Sequence, residues 1–237
     1  MYITDIENYA GKDLIILTGP PGSRWSGVSR ALSANVIVNT SDESDENVYD
    51  TNDKPDSPGW HRGTYWGPYH KHGKEFDNLN NLSKDEILQE FQKPFKNWEG
   101  IKVIKSHWFA YHLPYIRQIF PEARIIAVAG NVEETFKHWH TAGGWDITYP
   151  HYDWYKNNKI LEEQITIELA CIKEYFKDTK KRTTIDQVYE DLKLPSQMHN
   201  EDVLLQRDKR YSSLLTKYNS IKELFDIIVR NRPIFID

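Results

Sequence analysis

The segment Asp13–Leu32, DLIILTGPPGSRWSGVSRAL, sets the tightest limit on how this chain folds. An apolar run, Leu14 to Leu17, stops at a Gly/Pro turn. A loop of small residues follows, and then a stretch able to start a helix. That order, strand then loop then helix, aims several backbone N–H groups and a helix N-terminus at one point, an arrangement suited to phosphate or sulfate. The loop lacks the G-x-x-x-x-G-K-[ST] spacing of a Walker A loop. No lysine lies between Lys12 and Lys54, so the nearest cations are Arg24 and Arg30. The competing reading is a tight strand-to-helix turn that binds nothing.

The rest of the chain repeats this rhythm. Five segments read as buried strands: Asp13–Thr18, Asn35–Asn39, Ile101–Ser106, Arg124–Ala129 and Thr183–Val188. Helical patterns lie between them. Ser83 and Glu86 form a capping box ahead of Ile87, Leu88 and Phe91. Leu113, Ile116, Ile119 and Phe120 fit a short helix before Pro121. Leu161, Ile165, Leu169, Ile172 and Phe176 recur at spacings of three and four, and Leu214, Tyr218, Ile221, Phe225 and Ile228 do so again. Strands alternating with helices predict an α/β fold of three layers, αβα, with a central parallel sheet covered on both faces. Leu14–Leu17 and Ile101–Ile104 are expected as neighbouring inner strands. Ligands of such sheets bind at the C-terminal ends of the strands.

At 237 residues the chain reads as a single domain, 1–237, with an acidic and aromatic insertion at about 40–80. Thr40 to Pro58 carries seven acids against one lysine and reads as a solvated, mobile loop. Gly59 to Phe76, GWHRGTYWGPYHKHGKEF, is rich in Gly, aromatics and His. No run of about 18 apolar residues exists, so no membrane partner is expected. The stretch MYITDIENYAGKD carries charges where a signal peptide needs an apolar run. A single cysteine cannot form an intrachain disulfide, which fits a reducing, cytoplasmic setting. A net charge of -5 argues against a general nucleic-acid binder, so any anion site is a local pocket. Aromatic residues make up 13% of the chain, enough to line a pocket with flat rings or to fill a bulky core.

The second informative stretch is Ile101–Ala129, IKVIKSHWFAYHLPYIRQIFPEARIIAVA. A strand ends at Lys105-Ser106-His107, and one residue separates Lys105 from His107. On an extended strand both side chains point to one side, toward the Pro20–Ser29 loop. A cation beside an anion cradle, with a base that titrates near neutrality, is a constellation for group transfer.

With these two stretches in hand, the chain resembles the sulfotransferase superfamily, enzymes that use 3'-phosphoadenosine 5'-phosphosulfate (PAPS). Ser26-Gly27-Val28-Ser29-Arg30 is similar to the S-G-T-[ST] core of that family's 5'-phosphosulfate loop. Lys105-Ser106-His107, then Leu113-Pro114 and IFPEARIIAVAGN, is similar to its K-T-H…LP…P-x-A-K-x-I-x-V-x-R-N stretch. Tyr189-Glu190-Asp191-Leu192, just after an expected strand, is similar to its Y-E-D-L. The three motifs fall in the family's order and span most of residues 13–192. There are two departures. Trp25, with Arg24 before it, stands where the family has Lys or Arg ahead of S-G. Gly130 stands where the family has the Arg that binds the donor's 3'-phosphate, and His138, beside Lys137, stands at the family's Ser. Either Lys137, His138 or a distant Arg (Arg207, Arg210) replaces that clamp, or the donor differs, or donor binding has been lost.

The resemblance implies a P-loop NTPase-like, sulfotransferase-like fold and PAPS as co-substrate, with no metal. Amides and side chains of Gly22, Ser23, Arg24, Trp25, Ser26, Gly27, Val28, Ser29 and Arg30 would hold the donor, together with Lys137 and His138. His107 would take a proton from an acceptor hydroxyl or amine, and Lys105 or Arg24 would offset charge on the leaving oxygen. Trp60, His61, Tyr65, Trp66 and Tyr69 would form one wall of the acceptor site, with the rings able to stack on a sugar or aromatic acceptor. Trp145, in the aromatic-rich stretch Trp139–Tyr155, would contribute a second wall. Those rings could equally complete the core. His70-x-His72 and His138-x-His140 lack the spacing and partners of a zinc site, and Asp42–Asp56 lacks the order of a calcium loop. Two other functions remain open: a P-loop small-molecule kinase or phosphotransferase, which needs Mg²⁺ and a loop Lys, and a catalytically silent nucleotide-binding protein of the same fold.

Overall fold

In the computed structural model, the residues described are 3, 5–43, 63–68, 70–141, 144, 157–207, 212, 215–231 and 233–237. Strand β1 (Leu14–Thr18) is wholly buried along its length. Its side chains divide between two cores. Ile15 and Leu17 join Val103, Ile126 and Val128 on one face of the sheet. Leu14 and Ile16 join Ile104, Ile125 and Ala127 on the other. A strand covered on both faces needs apolar residues at every position, which is why Leu14–Leu17 is a continuous run. Each fully buried Leu or Ile contributes about 1.5–3 kcal/mol, so this segment belongs at the sheet's centre.

Strand β2 (Lys102–Lys105) and strand β3 (Arg124–Val128) flank β1, and both are parallel to it. Strand β4 (Ile234–Ile236) pairs antiparallel with β3, giving the order β2-β1-β3-β4. On the first face pack α1 (Trp25–Ser33), α6 (Ile185–Asp191), α7 (Glu201–Arg207) and α8 (Ile221–Arg230). On the second pack α2 (Lys84–Gln92), α3 (Leu113–Ile119), Trp139 of α4 (Val132–Thr141), and α5 (Asn158–Tyr175). The layering is helix, sheet, helix, around a mostly parallel sheet. Ser83 and Glu86 complete the capping box of α2, and the three-and-four spacing of α5 places Leu161, Ile165, Leu169 and Ile172 in the core.

Four expectations are corrected. The sheet is mixed, because β4 runs antiparallel. β2 neighbours β1 but lies at the sheet's edge, where Asn39 N–H donates to Ile101 O (2.7 Å) and Trp66 N–H to Lys105 O (3.1 Å), covering much of the open side. Asn35–Asn39 is no strand: Asn35 and Val38 make only isolated bridges. Thr183–Val188 is no strand: Thr184 is an extended N-cap and the helix begins at Ile185. Thr184 accepts from Gln187 N–H and Gln187 returns to the Thr184 amide, a capping box that outweighs the strand preference of Thr-Thr-Ile. Tyr189-Glu190-Asp191-Leu192 therefore ends a helix instead of following a strand. Of the C-terminal pattern, Ile221, Phe225 and Ile228 lie on α8, Tyr218 precedes its cap Ser220, and Leu214 lies outside the described residues.

The described part of the insertion is packed. Trp66, Phe76 and Leu79 are fully enclosed, and Asp42 is buried. The mobility expected of Thr40–Pro58 otherwise falls on 44–58, outside the described residues. No described helix is long and apolar enough to cross a membrane.

Candidate anion and group-transfer site

β1 delivers the chain into Gly19-Pro20-Pro21-Gly22-Ser23-Arg24, and α1 begins at Trp25. Ser23 N–H donates to Pro20 O at 3.0 Å, closing a tight turn. Gly22 has φ +83, and a Cβ there would sit 2.1 Å from the Thr135 carbonyl oxygen and 2.8 Å from Trp139 N. The loop is thus wedged against α4, and only glycine fits. Arg24, the helix N-cap, is left-handed at φ 64, an uncommon state for a residue with a side chain. Ser23 is buried, and its hydroxyl has no hydrogen-bond partner among the described residues. A buried hydroxyl without a partner costs stability unless a ligand or water meets it. Val28 fills the core, and Gly27 leaves room for Ile228 of α8.

The K-S-H triplet reaches this loop in part. Lys105 ends β2, is 3% exposed, and its Nζ donates to Ser29 Oγ of α1 at 3.4 Å. Beside it lies Asp42, whose Oδ2 accepts from Thr64 N–H at 2.7 Å. Gly63 closes over both: a Cβ there would lie 2.6 Å from Asp42 Oδ2 and 3.2 Å from Lys105 Nζ. Arg30, one residue past Ser29, pairs with Glu43 at 3.1 Å. Two buried cations thus meet two carboxylates at the foot of α1. Burial pushes the Asp42 carboxyl up to about 6, against the pull of Lys105 and the Thr64 amide. Burial likewise pulls the Lys105 ammonium down, against Asp42 and Glu43.

His107 does not share Lys105's direction, and the expectation of one common side is corrected. The strand ends at Lys105, and Ser106 caps a 3-10 turn, His107–Tyr111, by accepting from Trp108 N–H at 3.1 Å. The His107 ring turns toward α5, with Nδ1 3.6 Å from Glu168 Oε1. Both groups are buried, His107 2% exposed and Glu168 0%. Tyr111 O–H donates to the same Glu168 oxygen at 3.1 Å. His107 stays tied to β1, because Thr18 Oγ1 donates to its carbonyl at 3.4 Å. Tyr65 joins the two halves of the site: its ring centroid lies 5.9 Å from Trp25 and 5.5 Å from His107. Its phenol, raised well above its ordinary value mainly by burial, lies against the Ser106 hydroxyl and the His107 amide.

The other expected residues fall elsewhere or outside view. Trp66 is enclosed by Phe91 and Phe95, and its Nε1–H donates to Glu90 O at 2.8 Å, so it completes the core. On α4 the residues against the loop are Thr135 and Trp139, while Lys137 is exposed and His138 Nε2 lies 3.9 Å from Glu134 along its own helix. Trp60, His61, Tyr69 and Trp145 lie outside the described residues, as does Arg210. Arg207 is described, with Nη1 donating to Ser33 O at the end of α1 (3.2 Å). Among the described residues, no group of three or more His, Cys, Asp or Glu is placed to hold a metal.

Sequence reasoning missed Asp42, Glu43, Glu168 and Tyr111. For Glu168 a signal existed: it lies three residues after Ile165 and four before Ile172, an acid on the apolar stripe of α5. Asp42 had none, since it opens a run of acids that reads as solvated. No protein-family model, no curated protein and no solved structure matches this chain.

Proposed function

We propose that this chain transfers a sulfuryl group from PAPS to a hydroxyl or amine, in a P-loop-like fold related in design to the sulfotransferases. One observation supports the reading: Lys105, the first residue of the K-S-H triplet, contacts Ser29 of the S-G-V-S helix start, a residue far from it in sequence. The buried Ser23 hydroxyl offers the loop an anion partner. In this reading the Gly22–Ser29 amides and the Ser23 and Ser29 hydroxyls bind the 5'-phosphosulfate. His107 takes the proton of the acceptor hydroxyl as its oxygen bonds to sulfur and the bond from sulfur to the bridging phosphate oxygen breaks. Adenosine 3',5'-bisphosphate leaves, with Lys105 offsetting the charge that grows on that oxygen. The acceptor class favoured by the aromatic loops is a carbohydrate or small aromatic molecule.

A second reading has its own observation. Lys105 and Arg30 already sit among the carboxylates of Asp42 and Glu43, which leaves less positive charge for a leaving oxygen and favours a catalytically silent nucleotide-binding protein of the same fold. Thermal-shift titration separates these ideas. Adenosine 3',5'-bisphosphate at about 100 times its Kd should stabilise the fold by about 2.7 kcal/mol, without Mg²⁺. A shift with Mg²⁺-ATP alone would point to a phosphotransferase instead. A shift with the bisphosphate but no sulfuryl transfer to any hydroxyl or amine acceptor would leave the silent binder. No shift with any nucleotide would overturn the proposal.

A further inference from the structure

The geometry points to Glu168 as the residue that positions His107, holding its proton on Nδ1 so that Nε2 faces the reaction as the base. This rests on the sulfuryl-transfer reading. A neutral imidazole has one N–H and one lone pair, and the group hydrogen-bonded to one nitrogen decides which is which. Glu168 Oε1 stands 3.6 Å from Nδ1, with Glu168 fully buried and His107 2% exposed. A carboxylate there favours a proton on the nearer nitrogen.

The surroundings define what Glu168 is. Tyr111 O–H donates to its Oε1 at 3.1 Å, and burial beside Glu168 holds that phenol protonated. Tyr111 is in turn anchored by Gln164 Oε1 at 3.0 Å, one turn earlier on α5. Tyr111 O–H and His107 Nδ1 thus approach the same carboxylate oxygen, the first within hydrogen-bond distance and the second at 3.6 Å, so a hydrogen on Nδ1 would face an acceptor. The His107 ring is also held flat, with Trp108 at 5.7 Å and 27° and Tyr65 at 5.5 Å and 35°. Orientation by neighbouring rings and polarisation by a carboxylate are the two requirements of a positioned base. When His107 accepts the acceptor's proton on Nε2, both ring nitrogens carry hydrogen, and the Glu168 charge stabilises the imidazolium so formed. The proton returns to water after the products leave.

Nitrogen-15 NMR of the histidine side chains, in the unliganded protein at pH 8, reads the tautomer directly. His107, assigned by comparison with His107→Asn, should carry its hydrogen on Nδ1, and Glu168→Gln should shift the population toward Nε2–H. A wild-type His107 protonated on Nε2 overturns the inference, whatever the variants do. In turnover, Glu168→Gln should lower kcat about 10–10²-fold with donor KM changed less than about twofold. Tyr111→Phe, which keeps the ring and the fold, should lower kcat by a smaller factor in the same pattern. A folded Glu168→Gln protein with unchanged kcat also overturns it. Because the tautomer is measured without donor or acceptor, a protein that fails every nucleotide screen refutes the sulfuryl-transfer reading while the NMR result still decides whether Glu168 directs the proton on His107.

Discussion

The Lys105 ammonium meets the Ser29 hydroxyl at 3.4 Å across a sequence separation of 76 residues. That contact ties the edge strand β2 to α1, the helix that follows the Gly19–Arg24 loop. It also places a buried cation at the C-terminal ends of the three parallel strands, where α/β folds collect their ligands. Asp42 and Glu43 favour the ammonium there and Arg30, itself paired with Glu43, opposes it, so the site carries its own carboxylates.

Removing Lys105 should cost stability in a way that depends on pH. Lys105→Met leaves Asp42 buried without its cation, a loss of about 3–5 kcal/mol while the carboxyl is ionised. Below about pH 6, where the buried Asp42 takes up a proton, the loss should shrink. Urea unfolding at pH 5 and pH 8 checks this, and equal losses at the two values would count against the pairing. The double variant Lys105→Met with Asp42→Asn should recover most of the stability at pH 8.

Asp42 gives the wild-type protein a pH signature of its own. Its folded-state value, about 6, lies above the ordinary 3.8. Between those values the folded form binds more protons than the unfolded form, so stability falls as pH rises. The contribution is complete below about 3.8 and lost as pH passes about 6, a span of about 3 kcal/mol. Asp42→Asn should flatten that part of the stability curve. A curve that rises through the same window in wild type and falls in the variant would contradict it.

Gly22 should tolerate no side chain. A Cβ would lie 2.1 Å from the Thr135 carbonyl oxygen, at a positive φ. Gly22→Ala should lose about 2 kcal/mol or more, from backbone strain and the displacement of α4. Gly27→Ala meets only side-chain atoms of Ile228, the nearest its Cγ2 methyl at 3.1 Å, and should cost much less. Chemical denaturation of the two variants side by side gives the comparison.

His107→Ala should cut kcat by about 10²–10⁴, the usual contribution of a general base, while the thermal shift with adenosine 3',5'-bisphosphate stays nearly unchanged. A variant that loses the thermal shift together with turnover would place His107 in donor binding instead.

Much of the fold was legible because its signals are local. The apolar run Leu14–Leu17, the Gly/Pro stop and the helix after it are set by near neighbours, as is the capping box at Ser83. The three-and-four spacing of α5 is equally local, and it carries Glu168 on its apolar stripe. Thr183–Val188 misled because β-branched residues favour strands, while the Thr184–Gln187 cap and the burial of Ile185, Val188 and Tyr189 favour a helix. β4 escaped notice because three residues after Pro233 give too short a pattern, and only pairing with β3 makes them a strand.

The sequence by itself determined that a strand feeds a small-residue loop and a helix, and that Lys105 and His107 stand at the end of a second strand. Only the tertiary structure decided where those two side chains go. The backbone is still extended at Ser106, but Ser106 caps a 3-10 turn that starts at His107, and Lys105 meets α1 while His107 meets α5. It also decided that Asp42, first of a run of acids, is buried beside a lysine rather than solvated. Side-chain direction at a strand end and the burial of a charge depend on partners distant in sequence, which the residues nearby do not specify.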